Sequence, residues 1–136
     1  MSSPVTALVV ETNYLIASAI ENPLTTSGFK VVVALDEAEA REAIVSYDIA
    51  VAIIDFSLRH GGPDALVSQL DAARVPYIFC TAASAEEVEE HFPGARVLEK
   101  PFGDDLLLSL VAEAARYGSE PLHSRTLDAS PIPVPL

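Results

Sequence analysis

Residues 49–55 read Ile-Ala-Val-Ala-Ile-Ile-Asp, an unbroken apolar run closed by a carboxylate. A half-buried strand alternates polar with apolar residues; this run does not, so both of its faces must be covered. Four more short runs share its character: Ala7–Val10, Lys30–Ala34, Tyr77–Cys80 and Ala95–Leu98. Helix-length segments separate them, at roughly Tyr14–Ser27, Glu37–Tyr47, Asp64–Ala73, Ala85–His91 and Asp104–Tyr117. Strands alternating with helices at this spacing build right-handed βαβ units around a parallel sheet.

The helices are not equally well written. In the last, Leu106, Leu107, Leu110, Val111 and Ala114 follow one helical face, with Leu108 expected to point outward. The second opens on Asp36, a good N-cap, with Glu37 and Glu39 in the favourable first turn. The first contains Pro23, which removes a hydrogen bond and is expected to kink or shorten it. The fourth is acidic (Glu86, Glu87, Glu89, Glu90) and stops at Pro93–Gly94, so a short or irregular helix is expected. Past Tyr117 the periodicity fails. Residues 118–136 hold four of the ten prolines and read as a disordered, proline-rich tail after a single domain at 1–117.

Composition narrows the function. The chain has 136 residues, about one domain, with 8 Lys+Arg against 20 Asp+Glu and a net charge of −12. Such an excess of negative charge argues against general nucleic-acid binding and against anionic membranes. No apolar run is long enough to span a bilayer, and no basic segment precedes an apolar one at the start. The single cysteine, Cys80, has no internal disulfide partner and reads as a small core residue. A cytoplasmic location is the expectation. His60, His91 and His123 lack ligand spacing and read as solvated loop residues.

In a doubly wound sheet, sites form outside the carboxyl ends of the strands. Glu11, Thr12 and Asn13 follow the first strand, Asp55 closes the third, Thr81 follows the fourth and Lys100–Pro101 the fifth. Such a set suits phosphoryl transfer to a carboxylate. Asp55 would be the nucleophile and form an acyl phosphate. Two anions repel, so cations and donors must face the phosphoryl oxygens. Lys100, one of only two lysines, supplies a positive charge, and the Thr81 hydroxyl a hydrogen bond. A divalent ion held by carboxylates normally supplies the remaining charge.

Val9–Val10–Glu11, Ile53–Ile54–Asp55, Phe79–Cys80–Thr81 and Lys100–Pro101–Phe102 together resemble the receiver domain of bacterial response regulators, over about Thr6–Arg116. The segment Pro76–Tyr77–Ile78–Phe79–Cys80–Thr81–Ala82 looks like the Pro-Phe-x-Phe-Ala-Thr-Gly segment of a branch of stand-alone receivers, whose fourth helix is often poorly formed. The resemblance implies a flavodoxin-like five-stranded parallel sheet in the order 2-1-3-4-5. It implies that Asp55 accepts phosphate from a histidine kinase or phosphotransfer protein and that Thr81 and Lys100 read it. It implies Mg²⁺ held by Glu11, Asp55 and the backbone carbonyl of Ser57, with Thr12 and Ala82 as further candidates at the same rim. A downstream protein partner follows from the same likeness, and homodimer formation is an option. No enzymatic role is implied beyond self-catalysed phosphotransfer and dephosphorylation.

The chain departs from the family pattern twice. The family usually carries two adjacent acids after the first strand; here Glu11 is followed by Thr12, which weakens a site for a hard cation. The usual aromatic switch, three residues before the lysine, is Val97. Two readings stand side by side: a stand-alone phosphate-accepting receiver, and a pseudo-receiver that binds partners without phosphate. A flavin-binding protein is disfavoured, because an acid sits where the phosphate-cradling loop would be.

Overall fold

The computed structural model describes residues 5–57, 63–82 and 84–117. The expected tail at 118–136, His60 and His123 lie outside the described residues. Ten elements alternate along the chain: β1 (Thr6–Val10), α1 (Tyr14–Thr26), β2 (Lys30–Ala34), α2 (Glu37–Ser46), β3 (Ile49–Asp55), α3 (Asp64–Ala72), β4 (Tyr77–Thr81), α4 (Ala85–His91), β5 (Arg96–Glu99) and α5 (Asp104–Tyr117). The strands form one parallel sheet in the order β2-β1-β3-β4-β5. This is the expected flavodoxin-like α/β fold.

Two hydrophobic layers cover the sheet, as the non-alternating strands require. On one face Leu8, Val10, Ala52, Ile54 and Phe79 pack with Ala40 and Ala43 of α2, Leu66 and Leu70 of α3, and Val88 of α4. On the other, Val9, Val51, Ile53, Cys80 and Leu98 pack with Ala17 and Ile20 of α1 and Leu107 and Val111 of α5.

Local detail corrects several expectations. The helix α1 continues past Pro23 for less than a turn, then closes with Gly28 at φ 101° and a Phe29 N–H donated to the Leu24 carbonyl. A left-handed glycine closing a helix with a six-to-one hydrogen bond is a standard stop signal, so glycine rather than proline ends it. Leu106 of α5 is exposed and Leu108 packs partly against the core, reversing the expected outward residue. The two lie on opposite flanks of the Leu107–Val111–Ala114 stripe, and periodicity alone does not separate them. His91 is not a loop residue. It ends α4, its Nε2 lies 3.1 Å from Asp64 Oδ1, and its ring meets Phe56 and Phe92.

The fourth helix is short, as expected: seven residues with only Val88 buried. Ser84 caps it, accepting the Glu87 N–H at 3.3 Å, and Glu99 accepts the Ala85 N–H at 3.2 Å. At the far end of the sheet from the acids, the buried Arg96 donates its Nε to Glu113 of α5 at 2.8 Å.

Candidate functional site

Parallel pairing lines up the strand ends. The Glu11 N–H continues the β1 ladder to the Ala34 carbonyl at 3.0 Å, and Asp55 pairs with Cys80 in β4. The Lys100 N–H reaches the Thr81 carbonyl at 2.7 Å, and the Lys100–Pro101 peptide is cis. Glu11, Asp55, Thr81 and Lys100 therefore emerge along one edge. Three of them, Glu11, Asp55 and Thr81, are almost completely buried, and for the two acids this is a rare state without partners.

The partners are present. Lys100 Nζ lies 3.0 Å from Glu11 Oε1 and 3.9 Å from Asp55 Oδ1, so one ammonium bridges two carboxylates remote in sequence. The second Glu11 oxygen accepts the Asn13 N–H at 3.1 Å. Asp55 Oδ1 accepts two donors from Ser57, the backbone N–H at 3.0 Å and the hydroxyl at 2.8 Å. Both Ser57 hydrogen bonds and the Lys100 contact fall on Oδ1 of Asp55.

Burial and charge pull the titrations in opposite directions. Burial pushes the Glu11 carboxyl above its ordinary range, against the hydrogen bonds from Asn13 and Lys100. For Lys100, burial acts to lower the pKa, but the Glu11 hydrogen bond and the Asp55 charge outweigh it and the ammonium is held more firmly than usual. The Cys80 thiol, next to Thr81, is pushed up to about 12, chiefly by burial. It is a neutral core group at any physiological pH.

The two ends of the site differ in how tightly they are specified. Thr81 is buried at the tip of β4, whereas Ala82 and Thr12 are exposed at the same rim. Thr12 does not cap α1; Asn13 does, its Oδ1 accepting the Leu15 N–H at 2.9 Å and the Ile16 N–H at 3.3 Å. Asparagine ranks among the strongest N-cap residues, above threonine. Sequence reading also passed over the Ser57 hydroxyl and the Asn13 backbone, both of which fix a site carboxylate.

An aromatic cluster adjoins Asp55. Phe56 meets Phe79 edge-on at 5.3 Å, Phe79 meets Tyr77 at 5.3 Å and Phe92 at 4.9 Å, while Val97 packs against the same layer. Burial raises the pKa of Tyr77, so its ring is a neutral phenol in this cluster.

A divalent ion suits part of this donor set. Mg²⁺ commonly takes one or two carboxylates and completes its shell with water and phosphate. Glu11 and Asp55 are the two carboxylates on hand. Among the described residues no group of three or more His, Cys, Asp or Glu converges.

No protein-family model matches the chain, and no curated protein matches it significantly. Solved structures do. A response regulator receiver protein from Sinorhizobium medicae superposes with a TM-score of 0.77 at 22% identity, over 85% of this chain and 97% of that one. A Francisella response regulator receiver domain gives 0.72 at 27% identity, over 84% and 98%. The receiver domain of a sensor histidine kinase from Pseudomonas aeruginosa, which carries a magnesium ion in its active-site cleft, gives 0.72 at 21% identity, over 84% and 99%. Among the described residues no helix is long and apolar enough to cross a membrane. With five parallel strands in the order 2-1-3-4-5 and these structures superposing along nearly their whole length, the chain has the fold of a response regulator receiver domain.

Proposed function

We propose that the chain is a single-domain response regulator in which Asp55 accepts a phosphoryl group from a histidine kinase or phosphotransfer protein, in a Mg²⁺-dependent step in the cytoplasm. The observation that carries this reading is the meeting of buried Asp55 and partly buried Lys100, 3.9 Å apart at the strand ends. In the transfer, Asp55 Oδ2 attacks phosphorus and the phosphorus–nitrogen bond of a phosphohistidine breaks. The imidazole keeps the electron pair and takes a proton from water, and Asp55 becomes an acyl phosphate. Ser57 holds Asp55 Oδ1 in place, so the attacking oxygen is oriented. Lys100 turns from Glu11 to a phosphoryl oxygen, and the Thr81 hydroxyl donates to another.

Mg²⁺, when bound to Glu11, Asp55 and the Ser57 carbonyl, would neutralise charge on the phosphoryl group. The chain acts as a phosphoacceptor rather than an enzyme with a separate substrate. Its output is altered binding to a downstream protein or to a second copy, or phosphate shuttling.

One observation favours the other reading, a pseudo-receiver that binds partners without phosphate. Lys100 already neutralises Glu11, and Thr12 stands where a second acid would help a cation. Titration with acetyl phosphate or beryllofluoride in Mg²⁺, followed by amide resonances, separates the two. Saturable shifts at Asp55, Thr81 and Lys100 that vanish in Asp55→Asn support the phosphoacceptor. A silent spectrum at high Mg²⁺ selects the pseudo-receiver.

A further inference from the structure

We propose that residues 131–136 of this chain add to its own sheet as a further parallel strand along the outer edge of β2. The inference goes beyond the phosphoacceptor reading and does not depend on it.

β2 closes one side of the sheet, and among the described residues no strand lies beyond it. The Lys30 N–H donates to the Val5 carbonyl at 2.8 Å, and the Ala34 carbonyl accepts the Glu11 N–H at 3.0 Å. Lys30, Val32 and Ala34 therefore turn their backbone groups to β1. Alternation turns those of Val31 and Val33 outward, where no described backbone group meets them. Glu39 takes the Leu35 N–H at 2.9 Å and ends the free stretch. Exposed edges are usually blunted by charge, proline or a bulge. This one, Lys-Val-Val-Val-Ala, pairs with β1 without a bulge, carries its single charge at the first position and leaves three valines half-buried. Tyr47, whose ring lies 5.9 Å from Lys30 Nζ, and Leu35 add exposed apolar surface at its two ends.

Residues 131–136, outside the described residues, read Pro-Ile-Pro-Val-Pro-Leu. In an extended chain alternate residues share an edge. Ile132, Val134 and Leu136 then present N–H groups on one side, and the prolines place their missing donors on the other. Such a segment pairs on one edge only and blocks further addition. Each residue before a proline is biased towards extended backbone, which lowers the cost of ordering. With Pro133 opposite Val33, the Val33 N–H donates to the Ile132 carbonyl and the Val33 carbonyl accepts the Val134 N–H. The Val31 carbonyl accepts the Ile132 N–H in the same register. Ile132 then lies beside Val32 on the α2 face, and Pro131 and Pro133 beside Val31 and Val33 on the α1 face.

Direction, handedness and reach agree. Arg96 at the start of β5 pairs with Glu113 at 2.8 Å, which fixes the end of α5 where the strands begin. A chain leaving Tyr117 there can run beside β2 in the same direction. α5 shares its layer with α1, so a connection from β5 through α5 to a place beyond β2 has the right-handed sense of β1–α1–β2. α5 packs over β3, β4 and β5. From β4 to a strand beyond β2 is four strand spacings, about 20 Å, and residues 118–130 can span about 40 Å. Charge favours this occupant over a second copy: residues 131–136 are uncharged, whereas another chain would bring its own −12 to the edge.

Amide hydrogen exchange of the full chain, read by NMR with the β1 and β3 amides as internal reference, tests the pairing. The Val33 N–H should exchange about tenfold or more slowly in wild type than in Val134→Pro, which removes the donor to the Val33 carbonyl. Pro133→Ala, altered only on the outer edge, should keep the protection. Overhauser contacts between Val33 and the amide of Val134 should be present in wild type and lost in Val134→Pro. Unprotected Val33 in wild type, or protection that Val134→Pro leaves unchanged, overturns the proposal. Protection that rises with protein concentration also overturns it, because the added strand then comes from another copy.

Discussion

Truncating Glu113 should hurt the fold far more than replacing its partner Arg96. The guanidinium is 7% exposed as a side chain, whereas the Glu113 side chain is 30% exposed. One guanidinium nitrogen, Nη2, is already buried without a hydrogen-bond partner. In Glu113→Leu the Nε–H loses its acceptor at 2.8 Å and the positive charge stays buried. Removing one member of a fully buried pair costs about 3–5 kcal/mol. Because Glu113 is partly solvated, the expectation here is lower, about 2–3 kcal/mol, or a fall in melting temperature of roughly 10 °C for a domain of this size. In Arg96→Met the partly exposed Glu113 carboxylate keeps its access to water, the orphan nitrogen disappears and an apolar chain fills the space, so the cost should stay below about 1 kcal/mol. The double variant should match Arg96→Met rather than the sum. Urea unfolding of the four proteins at one pH measures all three differences. Equal losses in the two single variants, or a larger one in Arg96→Met, would refute the claim that the buried guanidinium is the costly partner.

Three other outcomes follow from the site and its surroundings. Because the Glu11 carboxyl is raised above its ordinary value of 4.5, the native state holds a proton that the unfolded chain has released, so this group lowers stability as pH climbs through that window. Glu11→Gln removes the effect; its stability relative to wild type should rise from pH 4.5 upward, and urea midpoints that converge or cross the other way contradict it. Cys80 should resist alkylation by iodoacetamide at pH 8 until urea unfolds the chain, given a thiol pushed up to about 12; prompt modification of the folded protein would show that the strand opens. Phe79→Ala should cost about 3–5 kcal/mol, since this fully buried ring contacts Phe56, Tyr77 and Phe92, and calorimetric melting reads the loss.

The fold was legible because its strands are buried on both faces. A run such as Ile49–Ile54 cannot be anything but interior, and its spacing from Tyr77–Cys80 leaves room for one helix. The strand ends followed from the same pattern, which is why Glu11, Asp55, Thr81 and Lys100 could be placed on one rim. What stayed hidden was decided by geometry across elements. The Ser57 hydroxyl points back to Asp55, the Asn13 N–H holds Glu11, His91 reaches Asp64, and Arg96 finds Glu113. None of these pairings has a periodic signature. The reversal of Leu106 and Leu108 has the same origin, since both flank the stripe and only the neighbours of α5 decide which is covered.

The brevity of α4 has a thermodynamic consequence. A helix that inserts a single valine has little area with which to resist detachment, whereas the sheet beneath is sealed on both sides. Peeling this segment away would wet Val88 and the rims of Phe79 and Phe92 while leaving every strand pairing intact. Hydrogen exchange should then be fastest along residues 85–91 and slowest in β1 and β3. A domain built this way can alter one side of its surface without approaching global unfolding.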